Sequence, residues 1–229
     1  MSTFHARTRL GAVALAVAGV LFLAYPALRP WHDEATVSGA TAALSSAAWV
    51  AAHLFAMIGF ILLPLGLLAL LGVVATTRSQ RLALVATVIT WIGAGLTLPY
   101  YGAEDFGLHA IAGPKGSPSH VLDLIDAVRY QPVAVTIFGT GLILLAIGAI
   151  VAAVAVWHSG VLPRWSGILF AAGLALFLPQ FFTPAPVRIA HGVLMAVGLI
   201  VFAVALWRSA DPARAAVDPH DKIVLRPTR

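Results

Sequence analysis

Six runs of apolar residues dominate the chain: Leu10–Leu28, Ala47–Val74, Leu82–Tyr101, Val133–Val156, Val161–Phe182 and Val187–Leu206. Each has about the 20 residues, or more, that a helix needs to cross a hydrocarbon core about 30 Å thick. The runs are continuous rather than alternating, so they predict helices and not the strands of a membrane barrel. Of the charged residues only Arg164 and Arg188 fall inside them, each near an end. The pattern predicts an all-α protein: a six-transmembrane-helix bundle over residues 1–207, forming one domain, and a polar tail over 208–229.

The connections add detail. Tyr25-Pro26 stands where a signal-peptide cleavage site would be sought, and no small-x-small motif closes the first run, so that run is expected to stay as an uncleaved helix. Pro64 followed by Gly66 predicts a kink in the second span. Two loops are long. Arg29–Ser46 carries Trp31, His32, Asp33 and Glu34. In Gly102–Pro132, Ala103–Ile111 predicts a helical continuation of the third span and 113–118 a turn. Ser119 then caps a short helix, His120–Tyr130. Val121, Leu122, Leu124, Ile125 and Val128 share one side of it, and Asp123, Asp126 and Arg129 the other, so an interfacial helix on the outer surface is expected. No two glycines are four apart, and looser pairs such as Ala12/Ala16 and Gly148/Ala152 are read as ordinary helix packing. The first and last three spans show no repeat, which weighs against a repeat-built transporter.

Composition narrows the class. Charged residues are 10% of the 229, against about 25% in soluble domains. Hydrophobic residues are 60% and mean hydropathy is +0.94, which excludes a soluble domain and a disordered chain. The absence of cysteine removes disulfides, thiolate nucleophiles, iron–sulfur clusters and cysteine-held zinc. Lys and Arg set the direction. Arg7, Arg9, Arg78, Arg81, Arg164, Arg208, Arg214, Lys222, Arg226 and Arg229 fall on the side of the termini, and only Arg29, Lys115, Arg129 and Arg188 on the other. The expectation is a multi-pass protein of the cell membrane with both termini cytoplasmic. The net charge of +5 is then a topological signal, and with no basic stripe interleaved with aromatics, nucleic acid is not an expected partner.

Familiar cofactor motifs are missing. Gly139-Thr140-Gly141 has Leu144 where a dinucleotide fingerprint needs glycine, and there is no phosphate loop, HExxH or serine elbow. Depth is more informative, because five of the six spans place a polar group near their outer ends. Ionisable groups there mark a functional site by default. Glu104, Asp105, His53 and His191 are the expected catalytic groups, carboxylates as general acid or base and histidines as orienting or proton-relaying partners. Arg188 is expected to hold a substrate headgroup, with His109, Gln180 and Trp91 as further substrate-binding candidates; packing is the competing role for Trp91. His53, Asp105, His109 and His191 are the candidate metal ligands, and His53 and His191, at one depth, the candidate haem pair. No cofactor is predicted, because no spacing brings these residues together.

The expected function is a membrane-embedded enzyme using carboxylate and histidine acid–base chemistry on a lipid- or isoprenoid-like substrate in an outer-facing pocket, by cyclisation, isomerisation or hydrolysis. The alternatives are a small-solute or proton transport or binding module, a haem- or metal-binding membrane protein, and a structural subunit of a membrane complex. Membrane lipids and a hydrophobic small molecule are the expected partners. The Leu162-Pro163-Arg164-Trp165-Ser166-Gly167 entry to the fifth span, with the overall layout, resembles bacterial six-helix integral membrane proteins of unassigned function. That resemblance implies the topology and assigns no activity or site residue.

Overall fold

The structure, a computed structural model, describes residues 3–114, 116 and 118–211; Lys115 and nearly all of the expected polar tail lie outside the described residues. Its elements are α1 (Thr3–Leu28), α2 (Val37–Leu44), α3 (Ala47–Val73), α4 (Gln80–Gly102), α5 (Leu108–Ala112), α6 (Val121–Arg129), α7 (Pro132–Ser159), α8 (Ile168–Ala175) and α9 (Ala185–Ser209). A π turn, Ala103–Gly107, joins α4 to α5, and 3₁₀ turns cover Pro118–His120, Arg164–Gly167 and Pro179–Phe182. Five helical stretches are long and apolar enough to cross a membrane: Thr3–Leu28, Ala47–Val73, Gln80–Ala112, Pro132–Ser159 and Ala185–Ser209. The chain is an all-helical, multi-pass membrane protein.

The fifth apolar run, Val161–Phe182, is not a single α-helix but a 3₁₀ turn, the eight-residue α8 and a second 3₁₀ turn. Proline explains where it breaks. Pro179 has no N–H to offer the carbonyl four residues back, and its ring crowds that carbonyl. That residue is Ala175, the last of α8. The Phe177 N–H bonds Leu174 O instead, which tightens the chain. The broken segment still runs alongside α7 and α9: Gly167 sits against Ala153 and Val156 at one end, and Gln180 meets Arg188 at the other.

Helices pack through small residues. Where α4 crosses α7, Thr90, Gly93, Ala94 and Thr97 face Gly141, Leu145, Gly148 and Ala149, all buried. A Cβ on Gly141 would stand 2.6 Å from Thr97 Oγ1, and one on Gly148 would collide with Thr90 Oγ1. The hydroxyls of Thr87 and Thr97 return to their own helix, donating to Ala83 O and Gly93 O at 2.7 and 2.8 Å. Gly148 thus serves packing within the chain. α3 continues as helix through Pro64, and Leu15 of α1 fills the notch at Gly66. Arg9 of α1 lies 5.0 Å from the Trp207 ring, so the start of α1 is beside the end of α9.

The opposite end of the bundle carries a cap. Thr36 accepts the Gly39 N–H and starts α2 inside a segment expected to be loop. Ala40, Ala43 and Leu44 from α2 join Trp49, Leu108, Ala112, Val121 and Ile125 in a small second core. α6 occupies the position of the expected surface helix, but its most apolar edge turns onto this core and only Leu124 of that edge is well exposed. His120, not Ser119, is its N-cap.

Candidate functional site

The π turn sets the geometry at the capped end. The Leu108 N–H that follows it is shared between Ala103 O and Asp105 O, and the Glu104 carbonyl between them accepts the Trp49 indole N–H at 2.9 Å. This holds the Glu104 side chain toward a chain of ion pairs. Arg29 Nη2 donates to Glu34 Oε1 at 2.6 Å, and Arg129 Nη2 to Glu34 Oε2 at 2.7 Å. Arg129 grips Glu104 with two bonds, Nε to Oε1 at 2.9 Å and Nη2 to Oε2 at 3.1 Å. Burial alone would lower the Arg129 guanidinium, but the Glu104 and Glu34 carboxylates outweigh it and hold it above its ordinary range. Trp49 lies beneath both arginines, 4.8 Å from the Arg29 guanidinium and 5.9 Å from that of Arg129.

Arg188 differs from these two. Its Nε donates to Gln180 Oε1 at 3.0 Å, and its guanidinium lies 4.9 Å from the Trp31 ring and 5.1 Å from Phe181. Among the described residues no carboxylate comes within ion-pairing distance of it. All three arginines line one cavity of about 570 Å³ with Glu34, His53 and Glu104. His32, Tyr25, Tyr100, Tyr101 and Tyr130 complete the polar part, and Val135, Phe138, Leu178, Phe181 and Phe182 form an apolar wall. Tyr100 fixes one corner, stacked 4.2 Å from Phe138 while donating to Arg129 O.

His53 is 3% exposed, with its ring 4.2 Å from Trp49 and 5.3 Å from Tyr25. Its Nδ1 lies 2.8 Å from Trp49 O, which can only accept, so Nδ1 carries the proton and a neutral ring keeps Nε2 as the acceptor.

The expected site residues therefore divide. His53, Glu104 and Arg188 converge on the cavity, and Gln180 orients Arg188 from behind. Asp105, His109 and His191 do not join them. The His109 Nδ1 donates to Leu44 O at 2.8 Å, tying α5 to α2. His191 Nε2 donates to Gly173 O at 2.8 Å, beside the break in the fifth run, and packs against Phe177. Trp91, midway along α4, is 60% exposed on the outside of that helix and does not line the cavity. The four metal candidates are spread over three places, and among the described residues no group of three or more His, Asp or Glu is placed to hold an ion.

Asp105 is the outlier. It is fully buried, and neither carboxyl oxygen has a hydrogen-bond partner among the described residues. An unsatisfied buried polar group costs about 1–3 kcal/mol, and replacing it with an apolar group of similar size recovers part of that. Asp105→Leu is expected to raise the thermal midpoint, followed by tryptophan fluorescence, while Asp105→Asn leaves it near the parent value.

Sequence reasoning missed Arg29, Glu34, Arg129 and the tyrosines as site residues. A signal was present: Glu34 and Arg129 are opposite charges in the two long loops predicted for one side. A second, larger groove of about 990 Å³ lies at the other end, against Phe4, Trp165, Val201 and Arg208. Among the described residues that line it, Arg208 alone is charged. Comparisons with family models, with curated proteins and with solved structures return no match.

Proposed function

We propose that this protein crosses the membrane six times with both termini cytoplasmic, and that its cavity faces outward and binds the anionic head of an amphiphile. The observation that carries the binding reading is Arg188: a guanidinium facing a cavity, positioned by an amide and two aromatic rings, with no carboxylate partner among the described residues. A charge-assisted bond to such a group is worth about 1.5–3 kcal/mol. The apolar wall of Phe138, Leu178 and Phe181 suits the body of the same molecule. For the crossings, the support is the five long apolar helices, the full-depth course of 164–182 and the basic residues on the side of the termini.

The test uses purified protein titrated with octyl sulfate and octyl glucoside, which share a chain and differ in head charge. Trp31, against Arg188, reports binding through its fluorescence. The sulfate is expected to bind at least about tenfold tighter, a difference of about 1.4 kcal/mol. Arg188→Gln is expected to erase that preference and Arg188→Lys to keep part of it. An unchanged preference in Arg188→Gln would reject the assignment.

A second reading, acid–base chemistry in the same cavity, is favoured by His53 and Glu104 both lining it. Arg129 occupies both Glu104 oxygens, so His53 Nε2 is the better base there. This reading requires that a bound lipid- or isoprenoid-like molecule be recovered chemically altered.

A further inference from the structure

We infer that the occupant is a membrane-resident lipid with a singly charged anionic head, entering sideways from the outer leaflet between α7 and the Pro179–Phe182 turn. This rests on the proposed anion site at Arg188 and adds where the ligand comes from and how it is charged.

Burial along the helices supplies the route. None of residues 132–140 of α7 is buried, although Gly141, Leu142, Leu145 and Gly148 are. None of residues 181–190 is buried either, although α9 is well buried from Gly192 on. The same ends of α7 and of the chain leading into α9 are thus only partly covered, and they meet where Phe138, stacked on Tyr100, lies 5.7 Å from Phe181. Between them, Val135 is 43% and Phe182 85% exposed, and both line the cavity. Apolar residues that line a cavity and remain open to the outside mark a mouth toward lipid, since a water-facing rim would be polar.

Depth fits a lipid. α7 has 28 residues, about 42 Å at 1.5 Å per residue, against a hydrocarbon core of about 30 Å. Its first few residues therefore stand in the headgroup layer, and Val135–Gly139 lie at the outer edge of the hydrocarbon. Arg188 is the fourth residue of α9, at headgroup level. A head on Arg188 leaves its chains directed at the mouth just below. Charge sets the class: three arginines against two glutamates leave the cavity lining one positive charge, which a phosphodiester or carboxylate monoanion neutralises.

Gly139 allows a direct test. It lines the cavity, and nothing lies within 4 Å of where its Cβ would be, so Gly139→Trp adds bulk at the mouth without a backbone conflict. Gly95, exposed on α4 and equally unobstructed, gives the control Gly95→Trp. Two probes share one phosphodiester head: phosphatidylglycerol in nanodiscs, scored by native mass spectrometry, and its chain-free form glycerophosphoglycerol, scored by NMR. Gly139→Trp is expected to cut lipid capture at least tenfold and leave glycerophosphoglycerol binding intact, while Gly95→Trp changes neither. Arg188→Gln is expected to lose both probes. Full lipid capture by Gly139→Trp would overturn the lateral route and leave the Arg188 site standing. Retention of both probes by Arg188→Gln would remove the site itself.

Discussion

Gly148→Leu is expected to yield little or no folded protein, and it is the most damaging single change foreseen in the bundle. The seam between α4 and α7 has no slack at this point: besides Thr90 Oγ1, a Cβ here would stand 3.1 Å from Thr90 N and 3.2 Å from Ala86 O. Two of these three neighbours are backbone atoms, which no rotamer change can move aside. Overpacking a core costs about 1–3 kcal/mol and more where the backbone must yield, against a total stability of about 5–15 kcal/mol. In a membrane the loss is aggravated, because helix association there depends on close contact between small residues rather than on apolar burial. Gly139→Leu supplies the contrast. It lies nine positions earlier in the same helix, with nothing within 4 Å of its Cβ position, and is expected to stay within about 0.5 kcal/mol of the parent. Size-exclusion profiles and thermal midpoints in one detergent compare the pair. Equal behaviour of the two variants would contradict the packing described.

The second large effect concerns the ion-pair chain, and the topology of that chain fixes an order. Arg129 is the only described residue bonded to both glutamates. Arg129→Met strands Glu104 without a cation and leaves Glu34 with Arg29 alone, whereas Glu104→Gln leaves Arg129 still paired to Glu34. Side-chain exposures are 19% for Arg129 and 13% for Glu104, so this pair is mostly removed from water. Breaking a buried pair from one side costs about 3–5 kcal/mol, and the residual exposure here brings the expected cost to about 2–4 kcal/mol for Arg129→Met. Glu104→Gln is expected to cost less. The double variant is expected to lose less than the sum of the singles, with a coupling of about 1–3 kcal/mol. Thermal unfolding read through Trp49, which sits under both guanidinium groups, completes the cycle; additivity would show that the two side chains act independently.

The apolar runs announced five long helices because a membrane demands length and apolarity, and both are written directly in the residues. The same criterion overstated Val161–Phe182. Hydropathy there is as continuous as elsewhere, but Pro179 withdraws one donor and the α-helix stops four residues earlier. α2 was hidden for the opposite reason: eight residues beginning at Val37 are too short for periodicity, and only the Thr36 cap gives a sign of them. For the site, depth was legible and azimuth was not. Counting residues from a helix end placed His53, Glu104 and Arg188 at one level, where they meet. It placed Asp105 there as well, yet the π turn sends consecutive residues to different surroundings, Glu104 to the cavity and Asp105 into the protein. A π turn leaves no hydropathy signature. Arg129 was counted on the solvated side of its helix, and long-range pairing with Glu34, 95 positions away, turned it inward.

The broken course of 164–182 bears on more than its own shape. Gln180, which aims Arg188, belongs to a four-residue 3₁₀ turn beyond the end of α8, where i−3 bonds such as Phe181 N–H to Leu178 O replace the regular α-helical ladder. Local opening free energies follow such bonding, so Arg188 hangs from a support less regularly bonded than the helices beside it. On the proposed reading, an anion that engaged Arg188 would also steady Gln180 and the turn behind it. Part of the affinity would then be spent on order, and occupancy of the cavity and rigidity of this corner would rise and fall together.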